Sequence, residues 1–296
     1  MSQSIASLRH KINRAQELGA VVKSMKAIAS SSINQYERAV GSLDEYYLTV
    51  QQGLSACFNQ QSLPRVTPIS DLQSCPDTGV IVFGTDQGLV GKFNEVMVQY
   101  VTDTLESLPG NKVIWTVGER LHARFNTTPL EATQRFLLPN SISAIRSLVA
   151  TVLQEMESQR EQGLIDKVYL FHHRPERAAL YRPVNQLLLP LDHTWQQHLA
   201  KMDWPSKALV QVLPSTEHTL RGFVREYLFV SLFRACALSL ASENASRLAA
   251  MQRAEKNIDA LCNELTCRFH RLRQSGIDEE LFDVVSGFEA LNSSAH

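Results

Sequence analysis

The sequence lacks the paired cysteines that hold disulfide-rich and zinc-binding domains together. Its 296 residues include 5 cysteines, and none of them forms a C-x-x-C pair. Free thiols in a reducing compartment are therefore favoured over a disulfide framework. Long apolar runs are also missing. The longest, LFVSLFRACALSLA at 228–241, contains Arg234 and is too short and too interrupted to cross a bilayer.

An excess of charge of one sign is absent as well. The formal net charge is -1, which gives no reason to expect nucleic acid as a partner. The N-terminal residues MSQSIASLRHK carry charges where a signal peptide needs an apolar segment. We therefore expect a cytoplasmic protein with no direct membrane insertion.

Proline is absent before Pro64, and the preceding segment carries a heptad pattern. Apolar residues recur at alternating steps of three and four from Ile5 to Cys57, and Lys26 is the only charged residue at these positions. This pattern predicts one helix of about 50 residues within segment 1–60.

The other end of the chain, 211–296, repeats the pattern. Between Pro214 and Gly276 it has no proline and a single glycine, and the same steps run from Ala237 to Leu272. Helices of this length are unusual in globular bundles, and each must pair with an element of matching length. We therefore expect an antiparallel two-helix coiled coil of the terminal helices; burial in a helical bundle is the alternative.

The middle segment, 61–210, has a different period. Short apolar runs (VIVF at 80–83, VIWTV at 113–117, VYLF at 168–171 and LLL at 187–189) alternate with helical stretches at 93–108 and 141–161. Asn140 or Ser141 is available as the N-cap of the second helix. Strands that alternate with helices predict an inserted, Rossmann-like α/β domain with a largely parallel sheet.

The sequence GTDQGLVGK at 84–92 suggests a phosphate-binding loop. A P-loop needs G-x-x-x-x-G-K-[ST], but Asp86 stands at the first glycine and Phe93 at the hydroxyl position. The dinucleotide motif G-x-G-x-x-G also fails at Asp86. We expect a structural turn formed by Asp86, Gly88 and Gly91, with glycine where φ is positive or where the helix packs close to the sheet.

No catalytic or metal-binding group emerges from the sequence. His172 and His173 are neighbours on a predicted strand and point to opposite faces, so we expect a surface strand end and no shared metal ion. Asp192-His193 has no assigned nucleophile. Near the C-terminus a basic band that includes Arg273 precedes an acidic band from Asp278 to Asp283. These bands are either solvated helix turns or contacts to an encircling partner.

Six segments spread over the chain carry a resemblance to a known family. They are LRHKI, VVKSMKAIASSS, GTDQGLVGKFN, LLLPLD, LASENASRLAAMQRAEKNI and RLRQSGIDEELFDVVSG. These segments resemble the gamma-subunit family of rotary F-type ATP synthases, whose turn S-D-R-G-L-C-G-x-x-N is similar to GTDQGLVGKFN, and the resemblance covers essentially the whole chain. Gln87 and Val90 replace the arginine and cysteine that are usual in the family, and Asp278 replaces a threonine. Such departures resemble the divergent branch that includes sodium-translocating F-type ATPases.

The resemblance implies a non-catalytic rotor subunit that needs no cofactor. Its paired helices are expected to lie inside the hexameric ring that the alpha and beta subunits form. Its α/β domain is expected to contact the epsilon subunit and the membrane c ring. It implies a peripheral subunit on the cytoplasmic face of a bacterial plasma membrane. The rotor-stator contacts that it implies are Met25, Asn244, Arg247, Arg273, Gln274, Asp278, Glu280 and Asp283.

Two other classes compete with this interpretation. One is a nucleotide-binding α/β protein that uses the glycine loop. The other is a coiled-coil scaffold whose inserted domain spaces its partners.

Overall fold

The computed structural model describes residues 4–59, 77–176, 180–191, 199, 202, 204, 210–213 and 215–293. The chain forms two compact units. The first, here the helical unit, combines Met1–Ile28 with Leu248–His296. The second, here the sheet unit, is Ala29–Arg247. The predicted boundaries at 60 and 210 follow the elements of the chain and stay predictions.

Two long helices form the ends of the described chain. Helix α1 is Ile5–Asn59, with 55 residues, and helix α5 is Thr216–Ser293, with 78 residues. On α1 every predicted apolar position from Leu8 to Cys57 is buried or half-buried. On α5 the same holds from Ala237 onward until Leu272, which is exposed. The prediction of one uninterrupted helix at each end is therefore confirmed.

In the helical unit, side chains of α1 and α5 contact each other. Lys26 Nζ donates a hydrogen bond to Glu255 Oε2 over 2.6 Å. A Cβ atom placed on Gly19 would lie 3.5 Å from Ile258 Cγ2, in ordinary van der Waals contact. The large or apolar side chains that are buried here are Leu8, Ala15, Met251 and Leu265.

The sheet unit contains a five-stranded sheet in the order β3-β2-β1-β4-β5. The strands β1 to β4 pair in parallel, and β5 is antiparallel to β4. The predicted largely parallel α/β sheet is thus confirmed. Its elements in chain order are β1 Asp77–Phe83, α2 Phe93–Glu106, β2 Lys112–Val117, α3 Glu119–Phe125, β3 Ala132–Phe136, α4 Ile142–Glu161, β4 Ile165–Pro175 and β5 Tyr181–Leu189.

Two apolar clusters cover the two faces of this sheet. Alternation along β1 places Ile81 and Phe83 in the cluster that includes α4 and the sheet-unit parts of α1 and α5. Val80 and Val82 belong to the other cluster, with α2 and α3. Ser141 caps α4 by accepting a hydrogen bond from the Ala144 amide over 3.3 Å, as one of the two predicted caps.

Candidate functional site

The turn at 84–92 connects β1 to α2. The carboxylate of its aspartate, Asp86, is hydrogen-bonded to backbone amides of the same chain. Asp86 Oδ1 accepts a hydrogen bond from the Glu119 amide over 2.7 Å, and Oδ2 accepts one from the Leu138 amide over 3.2 Å. The carboxylate thereby holds the start of α3 and the segment after β3. These bonds support a structural interpretation of the turn.

Two residues of this turn adopt the left-handed backbone conformation. Gly91 has φ of 61°, as expected for glycine at such a position. The other is Leu89, with φ of 64°, whereas Gly88 keeps an ordinary φ. A Cβ atom placed on Gly88 would lie 3.6 Å from the Arg120 guanidinium, in ordinary van der Waals contact, and the structural role of this glycine stays a prediction.

Phe93, which stands where a P-loop would need a hydroxyl, belongs to the core. Its ring lies 3.9 Å from the His173 ring and 4.9 Å from the Tyr181 ring, measured between centroids. The next residue, Asn94, donates from Nδ2 to Thr85 Oγ1 over 2.9 Å. Asn94 Oδ1 is buried and has no hydrogen-bond partner among the described residues. The Phe93 ring and the bonded Thr85 hydroxyl give an arrangement unlike a phosphate cradle.

A buried polar cluster lies on α5 at residues 243–247. The Arg247 guanidinium donates to Glu243 Oε1 over 2.6 Å and to Asn244 Oδ1 over 3.1 Å. Asn244 Nδ2 in turn donates to the Leu240 carbonyl over 2.8 Å. Only 12% of the Arg247 side chain and 5% of the Glu243 side chain is exposed. Both residues predicted as rotor-stator contacts here, Asn244 and Arg247, are therefore engaged within the chain, and their role toward a partner stays a prediction.

This cluster is joined to the turn at 84–92. Ser246 Oγ donates to the Val90 carbonyl over 2.6 Å. Burial raises the pKa of the Glu243 carboxyl to about 7, Asp86 adds to the rise and Arg247 opposes it. Glu243 Oε2 and Arg247 Nε have no hydrogen-bond partner among the described residues.

The other six predicted contact residues all belong to the helical unit. Met25 on α1 is half-buried, and the five toward the end of α5 are exposed. Arg268, in the basic band, pairs with Glu264 over 2.5 Å. The same end of α5 exposes apolar side chains by 47–73%. They are Ile277, Leu281, Phe282, Val284 and Val285.

The prediction of a surface location for His172 and His173 is wrong. Their exposed fractions are 7% and 0%, because β4 continues to Pro175 and stays paired with β5 over this length. Their predicted opposite orientation is confirmed: His173 packs on Phe93, while His172 lines a cavity with residues of α1 and α5.

Three further observations bear on chemistry and location. Among the described residues, no group of three or more His, Cys, Asp and Glu side chains is arranged to hold a metal ion. No helix in the described part of the chain has an apolar stretch long enough to cross a membrane. Asp192, His193 and Cys75 lie outside the described residues.

Sequence reasoning missed Glu243 and Ser246. A signal for the first was present, because Glu243 lies four residues before Arg247 on a predicted helix and such residues are neighbours. Nothing in the sequence distinguished Ser246 from an ordinary helix serine, because its partner is a backbone carbonyl far along the chain.

Comparison with known proteins gives concordant results. Residues 4–291 match the family model described as ATP synthase. The chain is 26% identical to the ATP synthase gamma chain of Arthrobacter sp., over 99% of this chain and 100% of that protein. It is 23% identical to the ATP synthase gamma chain of Brevibacillus brevis, over 98% and 99%.

The fold agrees with that of solved rotors. The rotor of the Euglena gracilis mitochondrial ATP synthase aligns with a TM-score of 0.63 and 18% identity, over 92% of this chain and 98% of that chain. The family match spans both units, the described helices and the sheet. The chain therefore belongs to the ATP synthase family, and within it to the gamma chains.

Proposed function

We propose that the chain is the central-stalk rotor of an F-type ATP synthase. In this role it couples ion flow through the membrane c ring to ATP synthesis or hydrolysis at the alpha and beta subunits. The observation that carries the proposal is the uncovered apolar end of α5, where Phe282 and Val284 are 71% and 73% exposed. An apolar surface of this kind is typical of a segment that a partner encloses.

We further propose that α1 and α5 pair as an antiparallel two-stranded coiled coil in each unit. In the helical unit Lys26 pairs with Glu255. In the sheet unit Arg234 forms a salt bridge with Asp44 over 3.0 Å, and the Tyr46 hydroxyl donates a hydrogen bond to Glu226 Oε2 over 2.8 Å. In the sheet unit, later residues of α1 meet earlier residues of α5, which supports opposite directions.

A two-helix rod has no threefold symmetry, and this gives the proposed mechanism. Three chemically identical catalytic sites around it meet different faces, so rotation changes each site in turn. Such changes need contacts that differ between the states of the catalytic subunits, because equal binding to all states shifts no equilibrium. The residues proposed for these contacts are Met25, Asn244, Arg247, Arg273, Gln274, Asp278, Glu280 and Asp283.

The remaining parts of the proposal concern partners and location. The sheet unit is placed against the epsilon subunit and the c ring, on the cytoplasmic face of a bacterial plasma membrane. We also propose that the chain is a non-catalytic subunit that needs no cofactor of its own. We also propose that the chain belongs to the divergent branch that includes sodium-translocating F-type ATPases, because residues such as Gln87 and Val90 depart from the usual family sequence. The transported ion itself is selected by the membrane ring.

Native mass spectrometry of the complex purified through a tag on this chain tests the assembly. We expect one copy of the chain with three alpha and three beta subunits. The scaffold alternative predicts self-association of the chain without these partners, and that result would overturn the proposal. Equilibrium dialysis of the chain with ATP tests the nucleotide alternative, for which we expect no saturable binding.

The contact residues are tested by coupling in reconstituted vesicles. We expect Arg247→Ala to lower the number of ions pumped per ATP hydrolysed without abolishing pumping, because each contact is individually weak. Arg253→Ala is the matched control, since Arg253 is an exposed arginine of the same helix and is not a proposed contact. Unchanged coupling in Arg247→Ala would remove this residue from the set.

A further inference from the structure

The sheet unit contains a cavity that the proposed rotor function does not use. It lies where β4 and β5 face α1 and α5, and its volume is about 320 Å³. This is within the usual range for pockets that bind small molecules, roughly 300–1,000 Å³. Its walls include His172 and Arg174 of β4, Tyr47 of α1, and Arg234 and Leu238 of α5.

The charge in this cavity is positive. Arg174 and Arg234 both line it, and none of the described residues that line it is acidic. Arg234 is partly neutralised by Asp44, at 3.0 Å. Arg174 forms no salt bridge with any residue in the described part of the chain. A guanidinium group left in this state is suited to a carboxylate or a phosphate, which it binds through paired hydrogen bonds.

Two of the side chains that line the cavity carry buried polar atoms without a hydrogen-bond partner. His172 Nδ1 and Arg234 Nε are buried and accept or donate no hydrogen bond among the described residues. Burial and the two arginines lower the pKa of His172 to about 4, so its ring is neutral at neutral pH.

The rest of the wall is mixed: Asn185, Gln186 and Ser231 add neutral polar groups, and the aromatic ring of Tyr47 is restrained by Arg234. The Arg234 guanidinium carbon lies 5.7 Å from the centre of the Tyr47 ring, a cation–π distance that restrains both side chains before any ligand arrives. Val184, Ala235 and Leu238 complete an apolar surface beside them. The cavity therefore combines a polar, positive part with an apolar part.

We propose that this cavity binds a small organic oxyanion, with its carboxylate or phosphate between Arg174 and Arg234 and its apolar body against Tyr47 and Leu238. Inorganic phosphate alone would fill only the polar part. The site is independent of the rotor proposal, because all of its lining residues lie within the sheet unit.

Isothermal titration calorimetry of the full-length chain tests the site with four probes: phenyl phosphate, benzoate, inorganic phosphate and benzyl alcohol. We expect phenyl phosphate or benzoate to bind saturably, at least tenfold more tightly than the other two. Comparing these two anions identifies the preferred head group. Equal affinity for inorganic phosphate or benzyl alcohol would overturn the proposal, as would the absence of saturable binding by both aromatic anions.

Two variants localise the binding. Arg174→Gln should weaken binding at least tenfold, and it should fold normally because Arg174 is exposed. Arg182→Gln is the matched control, since Arg182 lies opposite Arg174 on β5, is exposed and does not line the cavity. We expect it to change the affinity less than twofold. An equal loss in both variants would show a general charge effect and refute the site.

Nuclear magnetic resonance gives a second readout. The ring resonances of His172 should shift on saturation with the tighter aromatic anion, while those of His173, which packs on the other face of β4 against Phe93, should stay in place. Shifts at His173 alone would place the ligand elsewhere and overturn the proposal.

Discussion

The sheet unit and the helical unit differ in where their apolar side chains go. Both apolar clusters of the described chain lie in the sheet unit, with Trp115, Phe83 and Leu54 almost completely buried. The helical unit buries Leu8 and Met251 but leaves many large apolar side chains of α1 and α5 exposed. The sheet unit is therefore stabilised from within, whereas the described part of the helical unit leaves a series of large apolar side chains exposed.

The apolar side chains that the helical unit leaves exposed represent a substantial free energy of burial. Burying a large apolar side chain stabilises by about 1.5–3 kcal/mol. Along the end of α5 and on α1 a partner could cover a series of such side chains. They are Leu18, Val21, Ile28, Ile277, Leu281, Phe282, Val284 and Val285.

The largest expected effect is in the core of the sheet unit. Trp115 is 1% exposed and packs with both its sheet neighbours and the helices. We expect Trp115→Ala to lower the free energy of unfolding by about 3–5 kcal/mol, because it leaves a large cavity. Met251→Ala in the helical unit should cost about 2 kcal/mol, the low end for a methionine.

Urea unfolding followed by circular dichroism measures both variants, and hydrogen exchange assigns the loss to a unit. Faster exchange in Trp115→Ala should be confined to the sheet unit. A larger loss in Met251→Ala than in Trp115→Ala would contradict the comparison.

The next effect concerns Glu243 and depends on pH. The pKa of this carboxyl is raised from 4.5 to about 7 in the folded chain. The folded state therefore holds more protons between these values, so its stability falls as the pH rises through them. The stability of the wild type relative to Glu243→Gln should fall by about 3 kcal/mol between pH 4 and pH 8.

The comparison with Glu243→Gln is needed because His172 and His173 act in the opposite direction. Their pKa values are lowered to about 4 and about 3, so they favour the folded state more as the pH rises through this range. Their contribution cancels when the two chains are compared at each pH. A pH-independent difference between the chains would show that Glu243 is ionised to the same extent in both states.

A smaller effect on the isolated chain is expected at the end of α5. Phe282→Ser should change its free energy of unfolding by no more than about 0.5 kcal/mol, because Phe282 is 71% exposed. In the proposed complex the same change should weaken retention of the alpha and beta subunits, measured by native mass spectrometry. Leu137→Ser, at an exposed residue of the sheet unit, is the control and should retain them. A marked destabilisation of the isolated chain by Phe282→Ser would mean that this side chain packs within its own chain.

The smallest effect is at the Lys26–Glu255 pair. The hydrogen bond from Lys26 lowers the pKa of the Glu255 carboxyl, so its contribution is present above the ordinary pKa and is lost as the pH falls through the lowered one. In Lys26→Met we expect this pKa to rise toward its ordinary value, measured by carbon NMR. Lys256→Met should leave it unchanged, since adjacent helix residues do not face each other. No shift in Lys26→Met would mean that the pair does not persist in solution.

The sequence predicted the elements with strong periods and missed those without one. Heptad positions from Leu8 to Cys57, and apolar runs such as VIVF at 80–83, carry burial in their spacing. Strand β3, ATQRF, alternates between half-exposed and exposed until its last residue, and α3 has only seven residues, so neither shows a clear pattern. The conformation of such short elements depends on their contacts with the rest of the sheet, which the local sequence does not show.

The candidate site was predictable only in part, for a similar reason. The failure of the P-loop pattern at Asp86 and Phe93 followed from residue chemistry. The burial of His172, by contrast, depends on strand length and on helices far away in the sequence. The cavity beside it is formed by four separate elements, and no local pattern records such a meeting.

The hydrogen bond from the Ser246 hydroxyl to the Val90 carbonyl constrains the amino acids at these two positions unequally. Every amino acid supplies a main-chain carbonyl, so replacing the family's usual cysteine with Val90 leaves the acceptor intact. The donor, by contrast, is a short side chain that carries a hydroxyl in a buried position. We therefore expect position 90 to tolerate other small apolar residues, and position 246 to tolerate threonine far better than alanine.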